Sequence, residues 1–144
     1  MKLLKLFFFQ LISILVVADN GGNQVVGTWI NSTGEAHIEV YSTNSKYFGK
    51  IVWLKEPLDE KGKPKTDGHN PKEELKKRPV LGLVLLTDFN YVGDNKWEDG
   101  EIYDPKNGKS YSCNMTLKDA STLEIRGYIG ISLIGRTEVW KRKK

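Results

Sequence analysis

The stretch Glu35-Ala36-His37-Ile38-Glu39-Val40-Tyr41 alternates polar and apolar side chains with a period of two residues. Successive side chains of a β-strand point to opposite faces, so Ala36, Ile38 and Val40 would share one face. We expect that face to be buried and the other face to meet solvent. The stretch therefore predicts a half-buried β-strand.

Similar segments follow one another along the chain, separated by turn-forming residues such as Gly93-Asp94-Asn95. The predicted strands cover residues 24–30, 35–41, 46–54, 80–87, 88–92, 97–104, 109–118, 122–129 and 132–142. Strands joined by short links, with no helices between them, form a meander, and a meander hides its edges best by closing on itself. We predict an all-β fold, an up-and-down antiparallel β-barrel of about eight strands.

One long connection, residues 56–78, interrupts this regular spacing. Within it, Asn70 is a candidate N-cap, Pro71 suits the first helical position, and residues 73–77 place acids before bases. These features predict two helical turns over residues 70–77, ended by Pro79. A long connection of this kind usually sits over one mouth of a barrel, where it is either a lid or an inert excursion.

The N-terminus has the pattern of a secretory signal peptide. Residues 1–5 carry two lysines and no acid, residues 6–17 are apolar except for Gln10 and Ser13, and Val16-Val17-Ala18 suits signal peptidase. We predict a signal peptide over residues 1–18, a domain over residues 19–144, and a periplasmic or secreted protein. The alternative is a membrane anchor, but about a dozen apolar residues fall short of the roughly 20 that span a bilayer.

Composition indicates one globular domain: the chain has 144 residues, of which 39% are hydrophobic and 28% charged. Without Lys2 and Lys5, the predicted domain keeps 20 basic and 18 acidic residues, a net charge of +2. Acids are interleaved with the lysines of residues 61–78, which favours a solvated surface over a nucleic-acid or anionic-lipid patch. The single Cys113 excludes an intramolecular disulfide.

Gly27-Thr28-Trp29 in the first predicted strand, with Arg136 in the last, resembles the signature of lipocalins and the wider calycin superfamily. The resemblance implies that Trp29 plugs the closed end of the barrel and that Arg136 packs across its ring as a cation over an aromatic face. Gly27, Trp29 and Arg136 are accordingly the expected barrel-closing residues.

A second resemblance covers nearly the whole predicted domain. Its motifs are Ile51-Val52-Trp53-Leu54-Lys55-Glu56-Pro57-Leu58-Asp59, Gly62-Lys63-Pro64-Lys65-Thr66-Asp67, Asn70-Pro71, Arg78-Pro79-Val80-Leu81-Gly82-Leu83, Gly100-Glu101-Ile102-Tyr103-Asp104-Pro105, Gly108-Lys109-Ser110-Tyr111 and Leu123-Glu124-Ile125-Arg126-Gly127. In order and spacing they resemble the bacterial exported family catalogued as domain of unknown function twenty-one forty-seven. The resemblance implies an exported, lipocalin-like barrel without an agreed ligand or reaction. The strand-end cysteines frequent in that family are missing here.

A binding module is the first functional hypothesis, because an eight-stranded barrel has room for side chains or for one small ligand. We expect a small apolar or amphipathic molecule, without a cofactor or metal. The candidate ligand-binding residues of the barrel interior are Trp53, Trp97, Tyr103, Tyr111 and Met115. The alternative for each is ordinary core packing. Cys113 is expected to be a small buried residue and not a nucleophile.

Two other hypotheses stay open. An envelope or secreted protein-interaction module would use the lysine-rich loops to bind a protein partner. An enzyme is the third, although His37 and His69 lack the spacing of a metal site and Asp67 beside His69 is typical of a polar turn. We expect no catalytic residue, no nucleic-acid partner and, after cleavage, no stable membrane anchor.

Overall fold

The protein folds as a closed antiparallel β-barrel. The structure, a computed structural model, describes residues 21–131 and 133–144 and, before them, only residues 2, 3, 10 and 12. Each strand pairs with the next along the chain, and the last pairs with the first. The strands of this described part are β1 (Gly27–Ile30), β2 (Ala36–Thr43), β3 (Lys46–Leu54), β4 (Val84–Gly93), β5 (Lys96–Asp104), β6 (Lys109–Asp119), β7 (Thr122–Tyr128) and β8 (Gly135–Arg142).

This architecture confirms the predicted all-β, up-and-down barrel, with differences at a few boundaries. The two strands predicted over residues 80–92 are one strand, β4. The first strand is shorter than predicted because a 3₁₀ helix, Gly22–Val25, precedes it. The predicted signal peptide lies, apart from residues 2, 3, 10 and 12, outside the described residues, and so does residue 132. Among the residues described, no helix is long and apolar enough to cross a bilayer.

The prediction of two helical turns over residues 70–77 is wrong, because only a single 3₁₀ turn, Glu73–Leu75, forms there. Asn70 does not act as its N-cap. Its Oδ1 accepts a hydrogen bond from the backbone N–H of Lys72, and its Nδ2 donates to the buried carboxylate of Asp67. Lys72 then keeps an extended backbone, which leaves too few residues for an α-helix before Pro79.

Alternating strand directions place the connections at two opposite ends of the barrel. At one end, here called the open end, lie the four loops formed by residues 31–35, 55–83, 105–108 and 129–134. The other end, here called the closed end, has tight turns at residues 44–45, 94–95 and 120–121. The 3₁₀ helix Gly22–Val25 covers this closed end: the indole N–H groups of Trp29 and Trp97 donate to the carbonyls of Val25 and Gly22.

Arg142, and not Arg136, packs over Trp29. The guanidinium carbon of Arg142 lies 4.3 Å from the centroid of the Trp29 ring. β8 runs from the open end to the closed end, and its register sets Trp29 opposite Arg142. Arg136 is six residues earlier on the strand, about 20 Å away at roughly 3.3 Å per residue, with its side chain 85% exposed. The assignment of Arg136 as a barrel-closing residue is therefore wrong.

Gly27 makes room for this arginine. Its φ of +142° lies where L side chains are rarely found, and a Cβ there would stand 2.6 Å from Nη1 of Arg142. Glycine at this position therefore lets the guanidinium reach both the Trp29 ring and the backbone carbonyls of Gln24 and Val26.

Candidate functional site

A cavity of about 1140 Å³ lies inside the open end of the barrel. Strands β2 to β8 and all four open-end loops supply its lining. Side chains fill the opposite half of the barrel: Val25, Trp29, Phe89 and Trp97 are fully buried there. The interior is therefore packed at the closed end and hollow at the open end.

Aliphatic side chains form the deeper walls of the cavity. They come from the inner faces of five strands and are Ile38, Ile51, Leu85, Ile102 and Ile125, joined by Leu54 at the end of β3. The alternation along β2 places Ile38 on this inner face, as the sequence pattern predicts. Such walls would exclude water from an apolar ligand without offering it hydrogen bonds.

Polar groups stand among these walls at a few positions. Trp140, on the inner face of β8, lines the cavity while almost fully buried, and its Nε1 has no hydrogen-bond partner in the described part of the chain. The hydroxyl of Tyr111 accepts a hydrogen bond from Nδ2 of Asn107 at 3.0 Å, which leaves its own proton for another acceptor. Glu138 lies between Arg136 and Trp140 on the same face of β8.

Ion pairs ring the mouth of the cavity. Nζ of Lys106 donates to Oε2 of Glu35 at 2.7 Å, and a longer contact joins Lys65 to Glu56. The hydrogen bond from Lys106 lowers the pKa of Glu35 and raises the pKa of Lys106. Arg136 and Glu138 form a third pair at 3.6 Å. Opposite charges thus pair with one another around a polar opening.

Asp67 organises the long connection beside this mouth. Its carboxylate is fully buried and accepts hydrogen bonds from Asn70, Arg78 and the hydroxyl of Tyr103, the last at 2.6 Å. Burial alone would raise the pKa of Asp67, but these three donors and the charge of Arg78 together hold the pKa below its usual value. No local sequence pattern indicates this role of Asp67, since an aspartate in a loop is ordinarily exposed.

The same connection lies over one side of the cavity mouth. Its backbone at His69 packs so closely on the β5–β6 turn that a Cβ at Gly108 would overlap the His69 carbonyl. It also contributes lining residues, among them Glu56, Asp59 and Thr66. The loop therefore has an ordered place beside the opening, while a gating role stays a prediction.

Tyr103 and Tyr111 line the cavity as predicted, but Trp53 does not. Trp53 is 42% exposed on the outer surface, where its ring stacks on His37 with 4.2 Å between centroids. The register shows why: Ile38 pairs with Ile51 and His37 pairs with Trp53, so Val52 is an extra residue on β3. This bulge inverts the alternation and turns Trp53 outward.

Trp97 and Met115, a cross-strand pair of β5 and β6, are buried in the core but are not among the residues lining the cavity. For these two residues the alternative of ordinary core packing is correct. Trp140 and Glu138 line the cavity without having been predicted as site residues. Both share one face of β8 with Arg136 and Arg142, so period-two alternation counted from either arginine indicates them.

Cys113 is fully buried outside the cavity lining, as expected for a small core residue. Burial raises the pKa of its thiol to about 12, so it stays protonated at neutral pH. His69 lies at the cavity mouth and is not among the hydrogen-bonding partners found for Asp67. Within the described ranges, no three His, Cys, Asp or Glu side chains are grouped as metal ligands would be.

The closed eight-stranded barrel, with one plugged end and one hollow end, defines a lipocalin-like protein. Residues 27–142 match the bacterial family described as "Uncharacterized protein conserved in bacteria (DUF2147)". The chain belongs to this family, which is the one its motifs resemble. No curated protein matches the chain.

A solved structure has the same fold. It is described as "Protein HP1028 from the human pathogen Helicobacter pylori belongs to the lipocalin family", and it is similar to this chain with a TM-score of 0.71 and 24% sequence identity. The alignment covers 83% of this chain and 82% of that chain. At this identity, the likeness establishes the lipocalin-like fold of the present chain.

Proposed function

We propose that this protein binds one small apolar or amphipathic molecule in the cavity at the open end, without converting it chemically. The cavity itself carries the proposal: about 1140 Å³ lies behind a mouth ringed by charges and between aliphatic walls. Ligand sites for drug-sized molecules typically occupy roughly 300–1,000 Å³ and combine apolar walls with a few polar groups. The hollow end of this barrel has both properties.

The polar groups favour an amphipathic ligand over a plain hydrocarbon. The buried indole N–H of Trp140 has no acceptor within the described structure, and a buried donor without a partner costs about 1–3 kcal/mol. The Tyr111 hydroxyl has a proton to donate from the same cavity. A ligand with a carbonyl, ether or hydroxyl oxygen beside its apolar body would accept a hydrogen bond from the Tyr111 hydroxyl.

We further propose that binding takes place after export, in the periplasm or outside the cell. The support is the N-terminal sequence, with its basic start, apolar run and Val16-Val17-Ala18 cleavage pattern. An exported protein with an apolar cavity would carry or sequester molecules that are poorly soluble in water.

A matched pair of variants tests the proposed site. Gly127 lines the cavity, and a Cβ there would make only ordinary contacts with Ile102 and Tyr111, so Gly127→Leu projects a side chain into the cavity. Ser112→Leu introduces the same side chain at an exposed position on the outer face of β6. An apolar fluorescent probe titrated into each protein measures its affinity for the cavity.

We expect Gly127→Leu to weaken probe binding at least about tenfold, which corresponds to 1.4 kcal/mol, while Ser112→Leu binds like the unaltered protein. Native mass spectrometry of protein isolated from the cell envelope should also show a co-purified small molecule. Equal probe affinities for both variants, at equal melting temperatures, would remove the cavity as the binding site.

A further inference from the structure

The described residues of the loop between β7 and β8, 129–131 and 133–134, expose a cluster of aliphatic side chains at the open end. We call this loop the mouth loop. Ile129, Ile131, Leu133 and Ile134 are 72%, 58%, 85% and 68% exposed, whereas no other large apolar residue described from residue 21 onward exceeds 52%. Single exposed apolar residues are normal, but a contiguous patch marks an interaction site.

The mouth loop carries no charge of its own, and an arginine lies on each side of it along the chain. From Arg126 to Thr137 the chain contains two arginines, Arg126 and Arg136, and no acidic residue. Lys106, on the neighbouring open-end turn, and Arg136 line the same cavity mouth with exposed side chains, each paired with one carboxylate, Glu35 and Glu138. An apolar tip flanked by basic side chains has the composition that binds anionic lipid surfaces: the aliphatic groups enter the interface and the cations meet the headgroups.

The mouth loop is also continuous with the cavity. Ile129 and Ile134 line the cavity as well as being exposed, while Ile131 and Leu133 are exposed without lining it. The loop thus joins an apolar surface outside the barrel to the apolar interior. Leu58 and Leu81, both about half-exposed, lie in the open-end loop of residues 55–83. Ile129 and Ile134 therefore place aliphatic groups both on the surface and against the cavity.

We propose that the mouth loop docks the open end onto an anionic lipid bilayer, so that the cavity exchanges its ligand with the membrane. The ligand would then be a membrane amphiphile, an inference that rests on the proposed binding function. The competing possibility is that the mouth loop docks into a groove of a protein partner. The bilayer is favoured because the aliphatic groups lie on a glycine-bounded loop flanked by arginines, between Gly127 and Gly135, and because the cavity opens beside them.

Co-sedimentation with vesicles tests the docking. The protein, isolated from the cells that produce it, is mixed with vesicles of phosphatidylglycerol and phosphatidylcholine, or of phosphatidylcholine alone. The double variant Ile131→Ser with Leu133→Ser removes two exposed side chains outside the cavity lining. The matched control, Val26→Ser with Val92→Ser, removes two exposed apolar side chains near the closed end, on the segment before β1 and on β4. The N-terminal segment is the same in all variants.

We expect the mouth-loop variant to partition at least about tenfold more weakly into anionic vesicles, and the closed-end control to partition like the unaltered protein. The unaltered protein should bind more weakly to vesicles of phosphatidylcholine alone than to anionic vesicles, and its binding to anionic vesicles should weaken at high salt. The mouth-loop variant should keep its affinity for a water-delivered probe, so loss of docking and loss of the cavity function are separate results. Absent or equal vesicle binding in all three proteins overturns the docking proposal.

A labelled variant gives a second, independent measurement. Cys113 is fully buried, so Leu133→Cys places one accessible thiol on the mouth loop for an environment-sensitive dye. We expect the emission of the dye to shift to the blue with anionic vesicles. A shift that occurs only when the protein associates with a second protein or with itself would show that the loop docks to protein, and would overturn the bilayer proposal.

Discussion

The guanidinium of Arg142 stacks on the indole ring of Trp29, 4.3 Å from the ring centroid, while donating hydrogen bonds to the carbonyls of Gln24, Val26 and Ala120. These partners belong to the N-terminal 3₁₀ helix, the residue before β1 and the β6–β7 turn. One side chain from the last strand thereby joins three separate segments at the closed end. This contact reinforces the short β1–β8 pairing, which completes the barrel with only two residue pairs, Trp29 with Arg142 and Ile30 with Lys141.

Replacing Trp29 by Ala should destabilise the barrel by about 3 to 5 kcal/mol, because a fully buried indole is lost and a cavity remains. The same change removes the hydrogen bond to Val25 and the surface on which Arg142 stacks. Thermal and urea melts measure the effect. An unchanged midpoint would contradict the role of Trp29 as the plug of the closed end.

Arg142→Ala should destabilise the protein by about 2 to 4 kcal/mol, since it removes a cation–π contact and three charge-assisted hydrogen bonds. Arg136→Ala is the matched control on the same face of β8, and its exposed side chain should contribute within about 0.5 kcal/mol. Denaturant melts of both variants compare the two arginines directly. Equal losses of stability in the two variants would contradict the assignment of Arg142, and not Arg136, as the arginine that closes the barrel.

The fold was predictable from sequence because period-two alternation and turn residues are local signals. β3 was predicted to the residue, and β5, β6 and β7 to within one residue at each end. The predicted helix over residues 70–77 failed because a long-range contact decides that segment: the buried carboxylate of Asp67 binds the side chain of Asn70. A local capping pattern contains no information about that carboxylate.

The site was harder to predict because its geometry depends on register. One extra residue, Val52, turns Trp53 from the interior to the surface, and no composition rule locates such a bulge. Register also decides between Arg136 and Arg142, which have the same chemistry and lie on the same face of one strand. Tyr111 was found because β6 keeps its alternation, with Tyr111, Cys113 and Met115 on one face. On β5 a register shift between Trp97 and Gly100 places Ile102 opposite Tyr111, and Tyr103 lines the mouth from the next position, where it binds Asp67.

Asp67 should make the stability of the protein fall in acid. Its pKa is lower in the folded protein than in the unfolded chain, so its contribution is complete above the unfolded value of about 3.9 and is lost as the pH falls through the lower folded value. Asp67→Asn should lower the free energy of unfolding by about 1 to 3 kcal/mol near pH 7 and by less below about pH 4. Melts across this range measure both effects, with the exposed Glu73→Gln as the control.

The protein found in the cell envelope should begin at Asp19. The basic start, the apolar run and the small residue at Ala18 together predict cleavage after residue 18. Intact-mass analysis of the envelope fraction gives the N-terminus directly. Retention of Met1 in that fraction would make the protein a membrane-tethered one, and a protein confined to the cytoplasm would contradict export altogether.

The long connection, residues 56–78, should gate the cavity mouth, so ligand exchange should depend on it. It lies against the β5–β6 turn at Gly108 and is tied to β5 through the hydrogen bond of Tyr103 to Asp67. Replacing residues 59–77 by a short Gly-Ser linker removes this cover. Most of the barrel should stay folded, since the excised residues are largely polar and the strands lie outside them.

Stopped-flow mixing with an apolar fluorescent probe measures the gating. We expect faster entry and faster exit in the shortened protein, with a smaller change in affinity, because a cover that slows both directions leaves the equilibrium nearly unaltered. Tyr103→Phe gives an intermediate test: it removes one hydrogen bond to Asp67, keeps every residue of the connection, and should raise the exchange rates less than the deletion does. Unchanged kinetics in the shortened protein, at an unchanged melting midpoint, would show that the connection is a surface excursion. Failure of the shortened protein to fold would instead place Leu75, which is only half-buried, in the core, and the Tyr103→Phe kinetics would then decide whether the connection also gates.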